Sequence, residues 1–188
     1  MSKDRTLRLR PDVGIGPLTA DLAANMLRWM GDAEVARNLG LRAEPTLEYT
    51  AQWIARAVVD PSFRPYAIHA AGAHAGNVIF DRVDAYLGTA RLSVYVGEAR
   101  GGGVGTSGIF LALRDAFATL GWHKVWLTVH QENYPAINTY HRLGFQTEGL
   151  LRDEFILDGR RISAFYMGLL RSDFERLVER VAKDGTER

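Results

Sequence analysis

Arg100-Gly101-Gly102-Gly103-Val104-Gly105-Thr106 sits where a strand becomes a helix. An alternating apolar run, Leu87 to Val96, comes before it, and a helical run from Val104 to about Leu120 comes after. Glycine takes positive φ without strain and lets the backbone come close to a ligand. The first amides of the following helix have no intrahelical partners, and the helix dipole adds positive potential there. Together these make a site for a pyrophosphate, with Arg100 as a fixed cation beside it. A plain turn would use the same glycines. Gly103, Gly105 and Gly108 also satisfy G-x-G-x-x-G. A dinucleotide-binding turn, however, follows its strand at once and opens a series of β-α-β units, and here only one such unit lies downstream. No Gly-Lys-Ser/Thr follows, which removes a P-loop.

Working outward, the C-terminal side continues with a strand, Lys124 to His130, and a short helix, Tyr134 to about Leu143. Pro135 suits that helix's first turn and Gly144 its end. Asn133, Ala136 or Ile137, and Tyr140 are spaced by three or four and share one face. Two long strands follow, joined at Asp158-Gly159, a type I′ hairpin signal. A last amphipathic helix runs from Arg171 to about Lys183. On the N-terminal side, alternation predicts a first strand over Arg5 to Arg10. Thr19 is placed to cap a helix running to about Met30, and Pro45 and Thr46 open a second helix. Tyr66 to Ala70 and Gly76 to Val83 read as strands. The order is β-α-α-β-β-β-α-β-α-β-β-α. It predicts an α/β chain of mixed α+β type, residues 1–188 as a single domain, with a mostly antiparallel sheet of about seven strands and helices on both faces.

Composition excludes several classes. The 188 residues carry a net charge of +1, so no strong field points to nucleic acid or a membrane surface. There is no cysteine, hence no disulfide framework, thiolate nucleophile or cysteine-ligated metal. The five histidines show no H-x-x-x-H or H-E-x-x-H spacing, which argues against a metal site. The absence of G-x-S-x-G weakens a serine-hydrolase reading. MSKDRTLRLR lacks an apolar signal segment, and no run nears the ~20 apolar residues of a membrane span, so the expected location is cytoplasmic.

Two motifs in register carry a resemblance. Arg100, Gly103 and Gly105 match the Arg/Gln-x-x-Gly-x-Gly/Ala turn of the GNAT superfamily of N-acetyltransferases. Asn133, Ala136, Tyr140, Gly144 and Phe145 resemble its N-x-x-A-x-x-x-Y-x-x-x-G-F element. The likeness is specific between about Leu87 and Phe145. Glu148 to Arg152, Asp158-Gly159-Arg160 and Met167 to Leu170 are similar to the branch acting on ribosomal-protein N-termini, polyamines and amino sugars.

The resemblance implies the GNAT fold and acetyl-CoA (coenzyme A) as the acyl donor. It implies direct attack of a neutral amine on the thioester. Backbone amides near Val94 and Val96 would bind the acetyl oxygen and cofactor arm. Amides of Gly101, Gly102, Gly103, Val104, Gly105 and Thr106 would hold the pyrophosphate beside Arg100. Asn133 would bond the pantetheine arm, and Tyr140 would be the general acid. The base is open between Glu98, His130 and a water chain. The expected acceptor is a small-molecule amine such as an amino sugar or a nucleotide-linked amino sugar. A protein N-terminus and a non-catalytic acyl-CoA-binding module are the alternatives, and the balanced charge argues mildly against a polyamine. Asp32, Glu34, Glu44, Asp153, Glu154 and Asp158 are acids able to attract an ammonium group. The last hairpin and final helix are surfaces on which a homodimer would form.

Overall fold

The computed structural model describes residues 7–41, 44–98, 100–157 and 159–186, the last three as backbone only. Seven strands form one sheet: β1 (Val13–Pro17), β2 (Arg64–Ala70), β3 (Ala73–Asp84), β4 (Thr89–Val96), β5 (Lys124–His130), β6 (Gln146–Leu157) and β7 (Arg160–Leu170). Their spatial order is β1-β2-β3-β4-β5-β7-β6. Every neighbouring pair is antiparallel except β4 and β5.

The helices are α1 (Ala23–Met30), α2 (Ala33–Leu39), α3 (Leu47–Ala57), α4 (Val104–Arg114), α5 (Tyr134–Arg142) and α6 (Arg171–Thr186). Ile54 of α3, and Ala23, Met26 and Trp29 of α1, join Ala67, Ile79 and Tyr95 in one apolar cluster. Ile109, Phe110 and Leu113 of α4 join Tyr140, Phe174 and Val78 in the other. The two clusters lie on opposite faces of the sheet, as alternation along the strands requires.

The expected first strand is displaced. Arg5 and Thr6 lie outside the described residues, Leu7 to Arg10 is irregular, and the strand is Val13–Pro17. Pairing decides this, because Val13 to Pro17 faces Ala70 to Tyr66 of β2. Leu7 is buried without being in a strand, and the Arg10 amide donates to Ser107 Oγ at 2.9 Å instead of to a ladder. Thr19 precedes a 3₁₀ turn, Ala20–Leu22, and makes no side-chain cap. Thr46 does cap α3, its Oγ1 accepting from the Tyr49 amide at 3.1 Å. Helix α2 was not expected. It is only 7 residues long and buries Val35 alone, so it leaves little periodic signal. The helix expected to reach Leu120 widens into a π-turn at Asp115–Thr119. Asp158 of the hairpin lies outside the described residues, while Gly159 has φ of 76°.

Candidate active site

β4 and β5 pair only through Thr89, Ala90 and Arg91 against Lys124, Val125 and Trp126. Beyond Arg91, β4 is held by β3 alone, and β5 by β7 alone. The strands splay, and the edge of β4 that faces β5 has no strand partner there. A cleft of about 740 Å³ opens between them. An open parallel sheet puts its ligand at the carboxyl ends of strands that part, and this is such a place.

The glycine turn forms one wall. Gly101 and Gly103 have φ of 78° and 82°, the left-handed region that a side chain resists. Gly103 is the N-cap of α4 and offers no side-chain cap, so the helix's first amides remain open toward the cleft. Gly105 lies close to β4, since a Cβ there would stand 3.0 Å from Val96 Cγ2. Val94, Val96, Gly101, Gly102, Gly103, Gly105 and Thr106 line the cleft, whereas the Val104 side chain points into the core. Gly108 has a packing role, because a Cβ there would meet Ile68 Cδ1 at 2.5 Å. It lets α4 lie down on β2.

Arg100 also lines the cleft. Its Nε donates to the Val96 carbonyl at 3.1 Å, and its other nitrogens reach Asp32 at 3.1 Å and Glu34 at 3.4 Å. Asp32 simultaneously caps α2 through the amides of Glu34 and Val35. Those bonds, more than Arg100, hold its carboxyl below the usual range. Two of the six acids expected to attract an ammonium group, Asp32 and Glu34, are therefore occupied by an arginine. Arg10 is a second cation at the turn, donating to the Gly102 carbonyl at 3.3 Å while bound to Asp12. Sequence reasoning missed it, because 92 residues separate the two partners and no local pattern marks the pair.

Helix α5 forms the opposite wall. Asn133 caps it, its Oδ1 accepting from the Ala136 amide at 3.2 Å, and its Nδ2 faces Asn38 Oδ1 at 3.4 Å. Tyr140 lines the cleft, with its ring edge-on to Phe145. Burial pushes its phenol up to about 12. His130, at the end of β5, also lines the cleft.

Glu98 is not brought into the cleft lining with these residues. Its carboxylate accepts from Trp29 Nε1 at 3.1 Å and pairs with Arg28 at 2.6 Å. The Trp29 bond, then Arg28, holds it below the usual carboxylate range. Glu44, Asp153 and Glu154 are exposed. Among the described residues, no group of three acids or histidines converges to hold a metal ion. None of the described helices is long and apolar enough to cross a membrane.

A family model described as an acetyltransferase (GNAT) domain matches residues 12–146. The chain belongs to the GNAT family. This bears out the recognition and the fold that the glycine turn and the Asn-Tyr helix implied. Spermidine N(1)-acetyltransferase of Escherichia coli (strain K12) is 30% identical over 116 residues, 61% of this chain and 62% of that protein. The match thus spans less than two thirds of that relative's length. The SPbeta prophage-derived N-acetyltransferase YokL of Bacillus subtilis (strain 168) is 29% identical over 146 residues, 77% of this chain and 82% of that protein. The solved spermidine N-acetyltransferase from Vibrio cholerae, in complex with CoA and spermine, superposes with a TM-score of 0.83. That comparison covers 88% of this chain and 99% of the other at 21% identity, so it speaks for the GNAT fold alone.

Proposed function

We propose that this GNAT protein transfers an acetyl group from acetyl-CoA to a primary amine of a polyamine. The observation that carries the reaction class is the cleft between the parted β4 and β5, which gathers α4's open amides, Arg100 and Tyr140. The residues fit the donor. Amides of Gly101 to Thr106 and the Arg100 guanidinium suit a pyrophosphate. The unpartnered edge of β4 at Val94 and Val96 suits the amide-bearing arm and the acetyl oxygen. Asn133 faces the same cleft from the other wall.

When bound, acetyl-CoA supplies the thioester. Tyr140 then donates toward the sulfur as negative charge gathers on it, and its raised pKa keeps it protonated for that role at neutral pH.

The polyamine replaces the amino sugar expected from sequence. Spermidine acetyltransferases among the relatives favour it. Net charge is a poor guide here, because recognition is local. Glu34 lines the cleft, and Asp32 and Glu34 both hold Arg100. Phosphate oxygens compete for that guanidinium, and Arg100 turning toward them leaves two carboxylates facing a cationic acceptor. A second structure of the Vibrio cholerae enzyme is dodecameric, so assembly beyond a dimer fits the reading too.

Calorimetric titration with acetyl-CoA, with NADH as control, tests the donor, and thiol release with spermidine or glucosamine tests the acceptor. Micromolar acetyl-CoA binding and faster release with spermidine are expected. Absence of acetyl-CoA binding withdraws the donor, and release with glucosamine alone withdraws the polyamine. Arg100→Ala should weaken acetyl-CoA binding by about tenfold, a loss tempered because the native cation must first leave its carboxylates. Unchanged affinity in the same titration removes Arg100 from the pyrophosphate site.

A further inference from the structure

We propose that His130 is the base that takes the proton from the acceptor's ammonium group. The inference rests on the acetyltransferase reading above. An alkylammonium group with a pKa near ~10 must lose a proton before its nitrogen can attack, taking lysine as the model. The base has to stand where the acceptor meets the thioester, in the cleft itself.

The cleft lining leaves few choices among the described residues. Its arginines, Arg8, Arg10, Arg91, Arg100 and Arg142, cannot accept a proton. Burial pushes the phenols of Tyr95 and Tyr140 up, so both stay protonated. The remaining acceptors are Glu34 and His130. Glu34 has a side chain 71% exposed, so bulk water surrounds its carboxylate. His130 is 8% exposed and ends the strand whose departure from β4 makes the cleft.

The surroundings of His130 suit the task. Its ring packs 4.7 Å from that of Phe155 on β6, and Ala164 of β7 lies opposite it in the ladder. The charge nearest in chain is Glu132 on the following turn, itself 4.0 Å from Arg160 of β7. Arg91 of β4, Glu34 of α2, and Tyr140 and Arg142 of α5 face the same cavity. Burial outweighs Glu132 and keeps the imidazole neutral at neutral pH, with a lone pair available. Its carbonyl accepts from the Asn133 amide at 2.9 Å, the residue that starts α5. Base and acid therefore come from adjoining elements, His130 closing β5 and Tyr140 riding on α5.

The protons balance. The ammonium gives one proton to the imidazole, which passes it to water. The freed nitrogen bonds to the acetyl carbon, and the carbon–sulfur bond breaks as the intermediate collapses. Tyr140 gives its proton to the departing sulfur and recovers one from the nitrogen. The products are the acetamide, CoA thiol and one released proton.

Two variants and two acceptors test this. His130→Gln should cut kcat with spermidine by about 100-fold, within the range general bases contribute, and leave acetyl-CoA affinity nearly unchanged. With a fluorinated primary amine of low basicity, already neutral in the assay, the deficit should shrink to a few-fold. A purely structural role would slow both amines alike, and that result, or full activity with spermidine, overturns the proposal. His130→Ala with added imidazole is the second variant. Imidazole should restore turnover, and failure to do so in protein that still binds acetyl-CoA also overturns the proposal. If the unaltered protein releases no thiol with any amine, the acetyltransferase reading falls first and this assignment with it.

Discussion

Tyr140→Phe is expected to slow thiol release by about 10²- to 10³-fold with acetyl-CoA affinity kept within about twofold. The substitution removes one oxygen and keeps the ring, so the edge-on contact with Phe145 and the packing in the core survive. What disappears is the only proton donor that α5 offers to a leaving sulfur among its cleft-lining residues Pro135, Ala136, Thr139, Tyr140 and Arg142 that is both buried and neutral. Single-turnover thiol release beside calorimetric acetyl-CoA binding separates the two effects, and unchanged turnover removes Tyr140 from the chemistry. The pH profile offers an independent check. An ordinary phenol would be half ionised at about pH 10. Burial raises Tyr140 to about 12, so its proton stays on through that range. Turnover should therefore show no fall from an ionising tyrosine up to about pH 10.

Gly97→Ala is expected to destabilise the fold by about 3 kcal/mol, roughly a 10 °C fall in Tm for a chain of this size. A Cβ at this position would fall inside the indole of Trp29. Trp29 is 3% exposed, packs on His74 and Tyr95, and anchors Glu98 through its ring nitrogen. The added methyl must expel the indole or push the end of β4 away from α1, and both break a close-packed cluster. Thermal unfolding of Gly97→Ala, Trp29→Ala and the double variant checks the cause. If the clash is the cause, the double variant loses much less than the sum of the two singles. Additive losses would place the damage elsewhere.

The parts of this protein that could be read from its sequence are those set by neighbouring residues. The turn at Arg100 to Thr106 carries its glycines within seven positions, and positive φ at Gly101 and Gly103 is a local demand met by local residues. Asn133, Pro135, Tyr140 and Gly144 state the cap, first turn, inward face and end of α5 within one short run. Alternation and the Asp158-Gly159 pair announced the long terminal strands. The sheet's mixed character followed, because hairpins and a single β-α-β unit can be counted along the chain.

The rest depended on partners far away in sequence. Thr6 to Leu9 alternates as a strand should, yet the available edge of β2 pairs with Val13 to Pro17. Glu98 looked like a free acid at a strand end, and Trp29 and Arg28 claim it from 69 and 70 residues away. Asp32 and Glu34 belong to a helix too short to show a period, and their hold on Arg100 exists only because α2 lies across the mouth of the cleft. His130 reads in sequence as one strand-end histidine among five. Only the parting of β4 from β5 gives it a wall of the cleft, and burial there shifts its ring further toward the neutral form. Sequence by itself determined most of the elements and the conformation of the glycine turn, because backbone conformation answers to nearby side chains. Tertiary structure alone decided which charges are paired and which groups line the cleft, because long-range contact and loss of water set both.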